Sequence, residues 1–295
     1  MKKIASYMLT GVIGLAFVVV LLGPQRMNPI LNALFGVAER EPVLPLSVPR
    51  ADGVADRVLD DIQEADVEAL VTRFASFGSR VPGYEGHTQA AQFIVSEFNR
   101  LGLADIETES FGVTAPIDKG GVLKRVDTGE AFAIHSVWPN LVKTSTVPKT
   151  TGRLIYGGDG TFSSFDGYDL EGAIVLMEFN SWNNWINAGM LGAKQVVFIE
   201  PDSTLTAEAE QKFLQVPNSV ERFWIGKEAG RKLQAALLEK GEFSVTLEAQ
   251  MIWEKHEVPN VLGWIQGTDP ELKKKTIVIN AYYDAMSVVP ALAPG

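Results

Sequence analysis

The chain has 295 residues, 46% of them hydrophobic, which is enough apolar material for two modest domains. A formal net charge of −10 argues against nucleic-acid recognition through a basic surface, and the one basic run, Lys273-Lys274-Lys275, reads as a short solvated loop. Cysteine is absent, which removes thiol nucleophiles, Cys-based metal sites and disulfides.

Met1-Lys2-Lys3 precedes an uncharged stretch, residues 4–22. As a helix it would span about 28 Å, close to the hydrocarbon thickness of a bilayer. A signal-peptide core is shorter, roughly 7–15 residues, and has a small-x-small cleavage site close behind it. The nearest such triplet here, Gly36-Val37-Ala38, lies far downstream. The expectation is one uncleaved transmembrane signal-anchor with the bilayer as its partner. The lysines then stay cytoplasmic and the bulk of the chain lies outside the cytoplasm. Secretion after cleavage is the alternative. Residues 23–50, with Pro42, Pro45 and Pro49, read as a stiff juxtamembrane linker.

Between Asp52 and Phe77 the apolar residues Val58, Ile62, Val67, Leu70, Val71 and Phe74 mark a helical face, interrupted near Glu64–Asp66. Ser79-Arg80-Val81-Pro82-Gly83 is a turn. Tyr84 to Leu101 is a second helix, with Ala91, Ile94, Val95, Phe98 and Leu101 as its stripe and Gly102 at its C′ position. Asp105 to Val113 alternates like a strand. Residues 120–250 then follow an α/β pattern: strands at 152–156, 173–177, 196–199, 216–225 and 243–247, a short helix closing at Leu191, and a helical run over 226–240. Pro259 to Gly267 reads as a strand entering a turn, and 268–275 as a hairpin loop. Thr276-Ile277-Val278-Ile279-Asn280-Ala281 reads as a buried strand ending in Tyr282-Tyr283-Asp284-Ala285.

Single features carry little chemistry. Gly157-Gly158-Asp159-Gly160 lacks the spacing of a nucleotide-binding loop and reads as a tight turn needing positive φ. No G-x-S-x-G elbow is present. The three histidines, His87, His135 and His256, have no second ligand at metal spacing. His87, at a helix start, reads as solvated or capping. Trp182 and Trp185, among Asn180, Asn183, Asn184 and Asn187, either line a peptide or glycan contact surface or merely cover a domain edge, the second being the commoner use of such residues.

Taken together, Ser-Arg-x-Pro-Gly, a helix with paired alanines, Leu-Gly and a strand, and then Asn260-Val261 and the strand ending at Asp284, resemble the co-catalytic zinc peptidases. These are the leucyl aminopeptidase, aminopeptidase Y and glutamate carboxypeptidase-like group, metallopeptidase clan MH, family twenty-eight. In that family the strand ends Ala-His-Tyr-Asp-Ser, its His binds zinc, and its Asp orients the His. Here Asp284 takes the orienting position and Tyr282 stands where the zinc-binding His belongs. The run Asp169-Leu170-Glu171-Gly172-Ala173-Ile174-Val175-Leu176 resembles the core of the protease-associated domain, with Ala173 at a lysine position.

The resemblance implies an α/β fold: an incomplete aminopeptidase-like α/β/α sandwich, formed by residues 51–118 and 255–295, with a protease-associated α/β insert at 120–250. It also implies two zinc ions and peptide-bond hydrolysis for a complete protein. A phenol is a poor zinc ligand beside imidazole. For this chain the expectation is therefore no co-catalytic zinc pair and no peptidase activity. The alternative reading is a membrane-tethered binding or scaffold protein with a peptide or protein ligand.

Overall fold

The computed structural model describes residues 62–213 and 219–294. The proposed membrane segment and linker lie outside them, and among the described residues no helix is long and apolar enough to cross a membrane.

Helix α1, Glu64–Ala75, starts with Glu64 and Asp66 in its first turn and ends with Arg73 in its last, the order that complements the helix dipole. Helix α2, Glu85–Arg100, buries Gly86, His87, Ala90 and Ala91 on one face. Its end is a Schellman motif. Gly102, at φ +74°, donates to Asn99 O, and Leu103 N donates to Phe98 O.

Seven strands follow: β1 (Ala104–Arg125), β2 (Ala131–Ser136), β3 (Val147–Tyr156), β4 (Ile174–Glu178), β5 (Gln195–Ile199), β6 (Glu221–Ile225) and β7 (Glu242–Trp264). They close into a barrel in the order β1-β2-β6-β5-β4-β3-β7. The run β3-β4-β5-β6 is parallel and the remaining pairs are antiparallel. Three helices connect them: α3 (Trp185–Met190), α4 (Thr206–Glu210) and α5 (Lys227–Lys240).

Parallel strands are covered on both faces, which is why β4 and β5 read as continuous apolar runs. Ile174, Leu176, Val197 and Ile199 pack with Leu233 and Leu237 of α5 on one side. Val175, Met177, Val196 and Phe198 pack with Phe165, Trp185 and Ala188 on the other. Each such side chain contributes roughly 1.5–3 kcal/mol on burial. The loop after β3 needs its glycines: Gly158 and Gly160 have φ of +53° and +75°, and a Cβ on Gly160 would lie 2.2 Å from Met177 Cε.

Two expectations change. Strand 105–113 runs to Arg125 as β1, and β7 runs to Trp264, pairing from Ala104↔Trp264 to Arg125↔Val245. The strands bordering the supposed insert are therefore one ribbon continuous with the barrel. No separate sandwich sheet forms among the described residues. Residues 276–281, expected as a buried strand, belong to no helix and no sheet, and Ile277, Val278 and Ile279 are 86%, 80% and 94% exposed. A strand exists only through its neighbours, and none of the seven pairs with this segment.

Candidate functional site around Asp284

The segments that carried the resemblance lie some two hundred residues apart and meet in space. Arg80, in the turn between α1 and α2, is the connection. Its backbone N–H donates to Ala293 O at 2.9 Å and its carbonyl accepts from Ala285 N at 3.1 Å. Its guanidinium donates from Nη1 to Tyr283 O at 2.7 Å and from Nε to Pro294 O at 2.8 Å, and it lies 5.1 Å from the Phe74 ring centroid. Ser79 Oγ donates to Pro290 O at 2.5 Å. The segment 283–294 is thus tied to the turn by main-chain carbonyls, for which a five-donor guanidinium is suited.

Around this clasp three side chains respond to Asp284. Burial holds the His87 imidazole below its ordinary value of 6.5, and the Asp284 carboxylate opposes that shift. Burial likewise lowers Arg80, again opposed by Asp284. Tyr283 is pushed up by burial and by the neighbouring carboxylate, and its hydroxyl donates to Pro259 O at 2.5 Å. The His87 and Tyr283 rings stack at 4.8 Å between centroids, tilted by 33°.

His87 is therefore not a solvated or capping residue. It is buried on the packed face of α2, at i relative to Ala90 at i+3 and Ala91 at i+4, and that spacing is the sequence signal for it. Arg80 was visible only as part of a turn. No local pattern reports a guanidinium that bonds carbonyls two hundred residues away.

The structure separates Tyr282 from Asp284. Tyr282 is 89% exposed, whereas Asp284 is half-buried beside His87 and Arg80. No hydrogen bond joins them among the described residues. Of the other histidines, His256 packs its ring against Gly83 of the same turn, where a Cβ would lie 2.6 Å from His256 Cδ2, and His135 sits on β2. His135 Nδ1 is 3.1 Å from Asp118 Oδ2, and His256 Nε2 is 3.3 Å from Glu254 Oε2. Tyr84 bridges α2 to β1, its hydroxyl donating to Pro116 O and accepting from Asp118 N. Burial pushes its phenol up to about 12.

Among the described residues no three His, Cys, Asp or Glu side chains converge as a metal would require. An exposed phenol and one carboxylate beside a stacked imidazole do not fit a co-catalytic zinc pair. The apolar groove between α1 and α2, about 510 Å³ and lined by Leu70, Phe74, Phe93 and Phe98, contains neither Tyr282 nor Asp284.

No family model and no curated protein matches the chain. Solved structures similar to it include an aminopeptidase from Aneurinibacillus sp. strain AM-1 (21% identity, TM-score 0.40), covering 70% of this chain and 49% of that one. A zinc aminopeptidase from Bacillus subtilis matches at 18% identity and TM-score 0.47, over 68% of this chain and 46% of that one. A Peptidase M28 precursor from Shewanella amazonensis SB2B matches at 12% identity and TM-score 0.47, over 71% and 55%. The chain thus spans about half the length of these structures.

Proposed function

We propose that this chain builds the amino-terminal part of an aminopeptidase-type zinc peptidase domain with a protease-associated-like barrel between its two segments. We further propose that the chain as it stands does not cleave peptides. The observation that supports this reading is the clasp. The Ser79–Gly83 turn and the Tyr282–Asp284 segment, the two segments of the resemblance, are joined through Arg80. In this reading the described residues lend the site its orienting carboxylate, Asp284, while Tyr282 leaves the first zinc ligand unfilled. In this reading residues 4–22 anchor the protein in a bilayer, with the bulk of the chain outside the cytoplasm.

The test is hydrolysis of a leucyl-anilide by the purified chain with added zinc. The expected result is no turnover above the buffer rate and no zinc retained through dialysis. Turnover that disappears with a chelator overturns the proposal. The scaffold reading, in which the chain binds a protein ligand and catalyses nothing, is favoured by one feature outside the Arg80 clasp, the exposed Trp182 on the barrel.

A further inference from the structure

Trp182 follows β4 at the carboxyl end of the parallel strands. Its indole is 54% exposed, whereas Trp185, three residues on, is fully buried. Its backbone sits at φ +46°, a left-handed conformation that is a genuine outlier for a bulky residue. Leu141 also has positive φ, but in the tight Asn140–Lys143 turn, where such angles are expected.

The strain at Trp182 is maintained from below. Trp182 N and Ser181 N donate to Glu208 Oε1 at 2.6 and 2.9 Å. Trp182 O accepts from Lys212 Nζ, which also pairs with Glu208 Oε1 at 2.8 Å. Lys212 is fully buried, over the rings of Phe179 and Phe198. Arg222, equally buried, donates to Lys212 O and to Trp138 O and lies 4.9 Å from the Trp185 ring. A buried ion pair thus grips both polar backbone atoms of one strained residue whose side chain then faces solvent. Strain sustained by its surroundings marks a residue held for use.

The neighbouring loops are pinned as well. Asn184 Nδ2 donates to Asp159 O, Asn187 Nδ2 to Gly160 O and Asn180 Nδ2 to Ser203 O. Their charge is one-sided. From residue 154 to 193 the chain has carboxylates and no Lys, Arg or His. At this edge Asp202 pairs with Lys227 and Glu178 with Arg231 at 2.5 Å, while Asp159 and Glu200 make no ion pair among the described residues. The cations below Trp182, Lys212 and Arg222, are buried. Two further apolar side chains on the same loops, Phe162 and Leu205, are exposed.

We propose that Trp182 anchors a docking site for a basic peptide segment of a partner protein, an Arg or Lys side chain stacking on the indole within the acidic rim. A cation over a tryptophan face is the strongest pairing of its kind, and Trp is among the residues that dominate interfaces. This proposal stands independently of the peptidase reading.

The test uses the full chain in a neutral detergent and a short fluorescein-labelled peptide alternating Gly or Ala with Arg or Lys, with its Glu counterpart as control. The basic peptide should give saturable anisotropy that weakens as salt shortens the screening length. Trp182→Ala should weaken binding by on the order of tenfold, and Trp182→Phe by less. Trp182→Gly is the decisive variant. Glycine accepts φ +46° without strain, so its melting temperature should equal or exceed that of the parent while binding is lost. Affinity within about twofold of the parent in the Ala or Gly variant, against the tenfold expected of an anchoring residue, overturns the proposal. So does equal binding of the Glu peptide, preferential binding of chitotriose, or a Trp182-dependent dimer in sedimentation. A lower melting temperature for Trp182→Gly would assign the indole to packing and overturn it too.

Discussion

Ile174-Val175-Leu176-Met177 and Ile277-Val278-Ile279 are nearly the same sentence in amino acids, and the molecule treats them oppositely. The first run is β4, hydrogen-bonded on both edges and wholly buried on both faces. The second is unpaired with the barrel strands and among the most exposed apolar stretches described. Both runs are short, wholly apolar and carry β-branched residues, and the run richer in them is the exposed one, so β-propensity does not decide burial. What differs is what stands beside each run. β3 and β5 flank β4, α5 covers one face, and Phe165 and Trp185 cover the other. An apolar run is a demand for neighbours, and the sequence states the demand without stating whether it is met.

The largest effect should come from breaking the covered run. Leu176→Asp places a carboxylate inside the apolar cluster of Leu154, Ile174, Val197, Leu233 and Leu237. Uncompensated, this costs at least about 4 kcal/mol, against a total margin of roughly 5–15 kcal/mol. The variant should lose the cooperative melting transition and expose the barrel to trypsin throughout. A variant that melts as a folded barrel would show that β4 is not part of a single tight core.

Legibility follows the same logic. The barrel strands β3 to β5 and helix α5 could be read because each covers its own apolar pattern within a few residues of chain. The extent of the ribbon could not. Pro116 and Pro259 argue for breaks, yet each sits where only two strands pair, so the side lacking an N–H faces no third strand. Near Asp284 the motif residues were legible but their relations were not. The His87 imidazole was on a face that the spacing to Ala90 and Ala91 already marked as buried. Its partner Tyr283 and the Arg80 clasp depend on a contact across some two hundred residues, for which a single sequence has no local signal. The Trp182–Trp185 pair shows the same limit: one ring is core and one is surface, and the three-residue offset was read as one cluster.

A middle-sized effect should come from the one place where the 276–294 region does find partners. His87 is packed against Tyr283 and faces Asp284 and, through the same turn, Arg80. Its folded-state proton affinity is below the ordinary 6.5, so in the window just under 6.5 the unfolded state binds more protons than the folded one. Stability therefore rises with pH across that window, and it is lost as pH falls from 6.5 through the lowered folded value. Amide exchange over residues 283–294 should accelerate, beyond its intrinsic pH trend, as pH drops towards about 5. His87→Phe keeps the stacking and removes the proton site, so its protection should be flat across the same range. An identical pH dependence in parent and variant would remove His87 as the cause.

The smallest effect should come from the uncovered run, and its smallness is what sharpens the comparison. Ile279→Lys changes a residue with 94% of its surface already in water, so little apolar area returns to solvent on substitution. Surface changes of this kind fall within about 0.5 kcal/mol, which leaves the melting temperature nearly unmoved. The substitution should instead alter what the chain does at high concentration. Thr276 to Tyr283 is an uncharged, β-favouring stretch without proline, the sequence pattern that templates pairing between chains. A lysine at its centre opposes such pairing by placing like charges together, so light scattering at high concentration should fall while stability stays constant. If Ile279→Lys instead cost as much as a core substitution, residues 276–281 would have to be covered in solution. The contrast with β4 would then dissolve: both runs would be buried strands, distinguished only by which neighbour covers them.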